Sequence, residues 1–337
     1  LPPKPPGDLI WIHGFHLLVL PSMLCRKVGR LAKIGLFLHT PFPSSEIFRT
    51  LWCREELLRG MLNADQIGFH LYEYARHFLT CCRRLLGLSY AMTPDTVGGH
   101  IMTVDTNGRN VTITSIHAGV DEPLINKVLG HAETGESVRA IREQFPGKIV
   151  MTAIDRLENL KGAPLKLLGL ERFLDKRPQY RGKVVLLQIG ISAFEREDDY
   201  LMTKEEVQRL TQRLNKKYPG SVDFREVSEA EMRLPQRIAV LRAADVCIVT
   251  SLRDGLNRLP LEFAVAHHRD AYARGVQNMA DAEEGIEGAI RVRPGVCILS
   301  EFASSARVMR GSIHVNPWRI SEIAAAYERA LEMDTEE

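Results

Sequence analysis

Two short segments carry residue types that can hold a phosphorylated sugar. In DRLENLKG, Asp155 to Gly162, Arg156 and Lys161 stand just beyond an apolar run. Arginine offers a forked pair of donors and lysine a compact point charge, a combination suited to a diphosphate. A helix starting near Pro164 would add its first amides. Taken alone, the same octet also reads as a solvated charged loop. In SLRDGLNRLPLEF, Ser251 to Phe263, Asp254–Gly255 reads as a turn, Asn257 as a helix cap and Pro260 as a first-turn residue. Glu262 then falls about one turn inside, facing the mouth of a cleft, where its carboxylate could accept hydrogen bonds from sugar or ribose hydroxyls. A plain capped helix, with Glu262 favouring the helix dipole, fits equally well. Of the histidines on apolar strands, His39 ends FLH, and His13 and His16 flank Gly14 in WIHGFH. Such histidines are either satisfied core groups or ligands. No trio of histidine or acidic residues has metal spacing, so no metal is expected. Neither Gly-x-Gly-x-x-Gly nor Gly-Lys-Ser/Thr is found, which weakens dinucleotide and P-loop readings.

These side chains need a scaffold, and the apolar patterning supplies one. Strands are expected at LIWIHGF, AKIGLFLHT and DQIGFH, with helices between and after them at HLLVLPSMLCRKV, SSEIFRTLWCREELLRGMLNA and LYEYARHFLTCCRRLLGL. Residues 91–119 read as a small antiparallel element around VTITSI. After a polar stretch, 130–147, strand–helix alternation resumes from GKIVMTAID to the last helix, ISEIAAAYERALEM. Nearly wholly apolar strands alternating with helices imply parallel sheets covered on both faces. The expected class is α/β with two doubly wound, Rossmann-like domains facing a cleft. Residues 1–128 form the first, read as incomplete, and 129–337 the second. Ligands of such sheets bind beyond the strands' carboxyl ends. Residues 269–294 read as a polar insertion or mobile loop.

Composition limits the alternatives. The 337 residues fit about two domains at roughly 150 each. With 44 Lys+Arg against 42 Asp+Glu the net charge is +2, which argues against a nucleic-acid partner. No apolar run approaches the ~18 residues of a membrane span. The six cysteines show no CxxC spacing and sit in apolar segments, as expected of reduced buried thiols in a cytoplasmic protein. The opening LPPKPPGD lacks the features of a signal peptide. It is expected to be the tail of a proline-rich linker, making the chain a fragment of something longer.

Taken together and in order, WIHGFHLLVLPSML, KIGLFLHTPFPSSEIFR, ADQIGFHLYEYARHFL, DRLENLKGAPLKLLGLERFL, KVVLLQI, RAADVCIVTSLRDGLN, ILSEFA and VNPW resemble the trehalose-6-phosphate synthases, retaining glycosyltransferases of family 20 with GT-B architecture. The resemblance runs from Leu9 onward. It implies transfer of glucose from UDP-glucose to glucose 6-phosphate, giving trehalose 6-phosphate and UDP, with no metal or other cofactor. Arg156 and Lys161 match the diphosphate pair, and Asp254, with the turn Gly255, Asn257, Arg258 and Leu259, matches the contacts to the transferred glucose. Glu262 matches the ribose carboxylate and His39 a histidine on the donor glucose. His13, Gly14, His16 and Arg196 fall on the acceptor side. Retention is explained in this family by attack from the leaving group's face, its phosphate oxygen taking the acceptor proton. The implied partners are the two substrates, a trehalose-6-phosphate phosphatase domain or subunit, and further copies of the chain.

The departures are specific. The family has His-Asp-Tyr-His where this chain has His13-Gly14-Phe15-His16, so an acceptor-contacting aspartate is replaced by Gly14. Phe194 aligns with an arginine for the acceptor phosphate, and Arg196 could substitute only with a different loop. Glu158-Asn159-Leu160 replaces Asp-Tyr-Ile, and Arg258, Pro260 and Leu261 alter the turn after Asn257. The family's N-terminal strands and glycine-rich loop have no counterpart here. Three functions follow: the synthase; a catalytically weak or silent UDP-sugar-binding or regulatory relative; or a transferase with another acceptor.

Overall fold

The computed structural model describes residues 7–28, 32–94, 100–268 and 295–333. The expected insertion at 269–294 therefore lies outside the described residues, as does most of the opening proline-rich segment. The chain forms two compact units, Leu1–Ala118 and Gly119–Glu337. The division falls before the expected 128/129 because helix Glu122–Leu129 packs with second-unit helices Leu234–Ala243 and Leu259–His267. No described helix is long and apolar enough to cross a membrane.

The first unit holds β1 (Leu9–His13), β2 (Lys33–Leu38), β3 (Gln66–Phe69), β4 (Tyr90–Pro94), β5 (His100–Thr106) and β6 (Arg109–Ser115), in the order β1-β2-β3-β6-β5-β4. β1, β2, β3 and β6 run parallel, and β5 runs antiparallel to both its neighbours, β6 and β4. The connections β1 to β2 and β2 to β3 step the same way across the sheet. Right-handed crossovers therefore carry α1 (Leu20–Val28), α2 (Ser45–Phe48) and α3 (Arg54–Met61) to one face, where α4 (Tyr72–Leu86) joins them. That face is closed: Ile34, Leu36, Ile67 and Phe69 are buried on it with Leu58, Phe78 and Leu79 of the helices. Among the described residues of this unit, no helix covers the alternate positions. Leu9, Trp11 and Ile116 are exposed, at 67%, 62% and 67%. The expectation of a sheet covered on both faces is thus corrected for this unit, because one-way winding places its described helices on one side. The expected helix over 44–64 is also two helices, with a break from Arg49 to Cys53.

The second unit holds β7 (Ile149–Arg156), β8 (Val184–Ile191), β9 (Val222–Val227), β10 (Val246–Val249), β11 (Val296–Ser300) and β12 (Ile313–Val315), all parallel, in the order β12-β11-β10-β7-β8-β9. The winding reverses between β7 and β10, so helices cover both faces. Met151 and Ala153 of β7 pack with helix Ala163–Lys176 and with the last described helix, Ile320–Glu332. Val150 and Ile154 point the other way, toward residues of Leu234–Ala243 and Leu259–His267. The stretch 130–147, read as merely polar, contains a helix at Ala132–Glu143. Its few apolar positions, including Val138 and Ile141, recur at helical spacing and meet that core.

Candidate functional site

In the second unit the reversal point gathers the expected donor residues. β7 and β10 are neighbours, so the loops leaving their carboxyl ends diverge to opposite faces and leave a crevice. Arg156 is the last residue of β7 and Lys161 ends the 3-10 turn Asn159–Lys161. The loop after β10 is stitched to them. Leu252 N–H donates to the Leu160 carbonyl at 2.8 Å, and Thr250 Oγ1 donates to the Gly162 carbonyl at 3.0 Å. Gly162 permits this approach. Its φ is +66°, and a Cβ there would lie 2.2 Å from the Thr250 carbonyl oxygen. The third side comes from the β11 end, where Asp254 bridges Ala303 and Ser304 N–H donates to the Gly255 carbonyl at 3.3 Å.

Within this crevice the charges are already paired. Lys161 Nζ donates to Asp254 Oδ1 at 3.0 Å, while Asp254 Oδ2 accepts from Ser251 Oγ at 3.1 Å and Asn257 Nδ2 at 3.3 Å. Asn257 Oδ1 accepts from Leu259 N–H at 3.0 Å, so it closes the start of helix Leu259–His267 from just outside it. Arg156 meets Glu195 at 2.7 Å and Glu158 at 3.1 Å. Glu262 is buried at 3% exposure rather than facing an open cleft mouth. Arg237 holds both its oxygens, Nε on Oε2 at 2.6 Å and Nη2 on Oε1 at 2.9 Å. The reason is register: Glu262 lies on the helix side turned toward Leu234–Ala243, which carries Arg237. Arg258 is exposed and only reaches within 4.0 Å of Glu262. Phe194 is 72% exposed with its ring against Tyr200, and Arg196 is exposed beside it. Sequence reasoning missed Arg237 and Glu195. Arg237 lies in a largely apolar helix where a half-buried arginine must find a partner, a signal that names no partner. Glu195 follows Phe194 directly.

The first unit brings together His13 and His39, and a third histidine the sequence reading passed over. β1 ends at His13; His39 follows β2, His70 follows β3 and His117 lies just beyond β6, so neighbouring strands place them along one sheet edge. His13 Nδ1 lies 3.0 Å from His39 Nε2, and His39 Nδ1 lies 3.2 Å from His70 Nε2. Adjacent ring nitrogens meet each other rather than a common centre, and among the described residues no cluster of three ligands could hold a metal ion. Burial, with His39 and His117 nearby, lowers the His70 pKa to about 4, and desolvation with His13 lowers that of His39. His13 and His39 border a concavity of about 380 Å3 on the open sheet face, shared with Trp11, Phe37, Gly68 and Thr114. His16 is in the 3-10 turn Phe15–Leu17, exposed and packed on Phe15. Gly14 has φ 86° and ψ 165°, a conformation that is essentially glycine's alone.

The chain matches the model of glycosyltransferase family 20 over residues 3–337. It is 37% identical over 333 residues to the UDP-forming alpha,alpha-trehalose-phosphate synthase 2 of Aspergillus niger, covering 97% of this chain and 62% of that protein. Among solved structures, the N-terminal domain of Candida albicans trehalose-6-phosphate phosphatase superposes with a TM-score of 0.80 at 33% identity, over 99% of this chain and 64% of that one. The UDP-forming alpha,alpha-trehalose-phosphate synthase of Burkholderia xenovorans in complex with glucose-6-phosphate gives 0.82 at 25% identity, over 99% and 68%. The chain thus spans less than two thirds of the Aspergillus enzyme's length. Two Rossmann-like units, the crevice at the reversal point and a family match that spans residues 3–337 agree: the chain belongs to glycosyltransferase family 20.

Proposed function

We propose that the chain is the glycosyltransferase part of a trehalose-6-phosphate synthase, moving glucose from UDP-glucose to glucose 6-phosphate. The observation that carries this reading is the convergence of Arg156, Lys161 and Asp254 on one crevice of the second unit, with Glu262 on the helix that the Asp254 loop leads into. A diphosphate would take Arg156 from Glu195 and Lys161 from Asp254. The freed Asp254, still fixed by Ser251 and Asn257, would then accept hydrogen bonds from glucose hydroxyls. Glu262 keeps lone pairs for ribose hydroxyls after Arg237 has taken its share. In the transfer the bond from glucose C1 to the diphosphate oxygen breaks and a bond from C1 to the acceptor hydroxyl oxygen forms. The hydroxyl proton passes to the departing diphosphate, whose charge Arg156 and Lys161 stabilise. The Aspergillus relative is named for forming UDP, and the Burkholderia structure holds glucose-6-phosphate, which supports both ends of the reaction.

A second reading is a relative that binds UDP-sugar without turning it over. Gly14, which presents no side chain, and the exposed phenyl of Phe194, both on the acceptor side of the family pattern, favour it. UDP release from UDP-glucose, assayed with and without glucose 6-phosphate beside calorimetric UDP binding, separates the two. Release that depends on glucose 6-phosphate is expected. UDP binding without release selects the second reading, and no UDP binding overturns both.

A further inference from the structure

We infer that His70 is a positioning residue: through a one-way file of hydrogen bonds it fixes the His39 tautomer and so sets His13, at the outer end, as an Nε2–H donor presented to an oxygen of the sugar substrate. This rests on the transfer reading above. The file begins at a group whose polarity is fixed. The Ala118 backbone N–H can only donate, and it faces His70 Nδ1 at 3.4 Å. That nitrogen therefore presents its lone pair, and a neutral His70 carries its proton on Nε2. Nε2–H then donates to His39 Nδ1, which leaves the His39 proton on Nε2. His39 Nε2–H donates in turn to His13 Nδ1, and His13 keeps its proton on its own Nε2. The opposite polarity would set N–H against N–H at Ala118, so the file runs one way only.

Packing holds the rings in that geometry. The His13 and His39 centroids are 5.2 Å apart, as are those of His39 and His70. Phe37 lies edge-on to His70 at 5.0 Å and against His39 at 4.9 Å. Gly68 makes room for it: a Cβ at that position would come within 2.5 Å of the Phe37 ring. The buried His70, with its pKa about 4, keeps the inner end uncharged near neutral pH. The outer end then offers one N–H group, at His13 Nε2. Such groups bind oxygen lone pairs and do not abstract a proton, in keeping with a transfer in which the departing phosphate takes it.

The test is a long-range proton–nitrogen NMR spectrum of the chain labelled with 15N-histidine, recorded near neutral pH for the wild type, His70→Gln and His70→Ala. The glutamine amide can donate to the same His39 nitrogen; alanine cannot. The Nε2–H form is expected at His39 in the wild type and in His70→Gln, and a tautomer mixture in His70→Ala. In the UDP-release assay His70→Ala should lose about 10-fold in kcat/KM, the equivalent of ~1.4 kcal/mol, with His70→Gln recovering most of it. An Nδ1–H form at His39 in the wild type overturns the inference, as does an unchanged tautomer in His70→Ala. Should His70→Ala not fold, the wild-type and glutamine spectra decide. If the wild type releases no UDP, the transfer reading fails while the spectra still judge the file.

Discussion

Every cation expected to meet a diphosphate has a carboxylate of its own, and the pairs differ in what they cost to break. Glu195 is 77% exposed, so its pairing with Arg156 is worth under about 1 kcal/mol. Glu195→Gln should therefore tighten UDP binding by about 2- to 5-fold in calorimetry, since it removes a competitor and leaves the cation. Loss of the cations acts the other way. Arg156→Ala and Lys161→Ala should each weaken UDP by ~30- to 150-fold, the equivalent of roughly 2–3 kcal/mol for a charged contact. Arg156→Ala should leave the melting temperature nearly unchanged. Unaltered UDP affinity in both variants would show that the diphosphate sits elsewhere. Arg156, Lys161 and Asp254 were legible because each stands at or beyond the end of an apolar strand, among residues too polar for a core. Glu262 was legible as a carboxylate near a helix start, but its burial was not, because its partner Arg237 lies on another helix and nothing local couples them. The histidines were half legible. WIH and FLH drew attention and GFH did not, although all three end a parallel strand; only the strand order makes them neighbours.

At the scale of elements, the crevice depends on how closely two loops approach. Gly162 lies between the 3-10 turn that ends at Lys161 and the helix Ala163–Lys176, and its positive φ and contact with Thr250 leave no room for a side chain. Gly162→Ala should cost about 2–4 kcal/mol in urea denaturation, from backbone strain together with displacement of the Thr250 loop. UDP affinity should fall with it, because Lys161 is the preceding residue. A variant of wild-type stability would mean that the loops part without penalty. The alternation of strands and helices was readable because buried parallel strands are apolar throughout. The helix at Ala132–Glu143 was not, because its exposed face outweighs its few core positions. One-sided coverage of the first sheet was also invisible, since an apolar strand does not reveal which of its faces is closed.

For the molecule as a whole, the histidine file couples the first unit's stability to pH. The unfolded chain takes up a proton on His70 near the ordinary value of 6.5, whereas the folded chain does so only near 4. The unfolded state thus binds more protons in this window, and stability falls as pH drops from about 6.5 to 4. For a shift of that size the loss is about 3 kcal/mol, of order-of-magnitude accuracy. Thermal unfolding followed across that window should show it, and His70→Gln, which cannot titrate, should flatten the slope. A wild-type slope matched by His70→Gln would assign the acid sensitivity to other groups.

The open sheet face has a practical side as well. Trp11 is exposed on it, stacked 5.5 Å from the His13 ring, and the other two tryptophans, Trp52 and Trp318, are exposed too. The native protein should therefore fluoresce with the red-shifted emission of indole in water, and unfolding will change that colour little. Any molecule settling over the histidine-bordered concavity would shield Trp11 and shift its emission to the blue. That gives the face an internal optical reporter, needing no label, beside the residues proposed to meet the sugar.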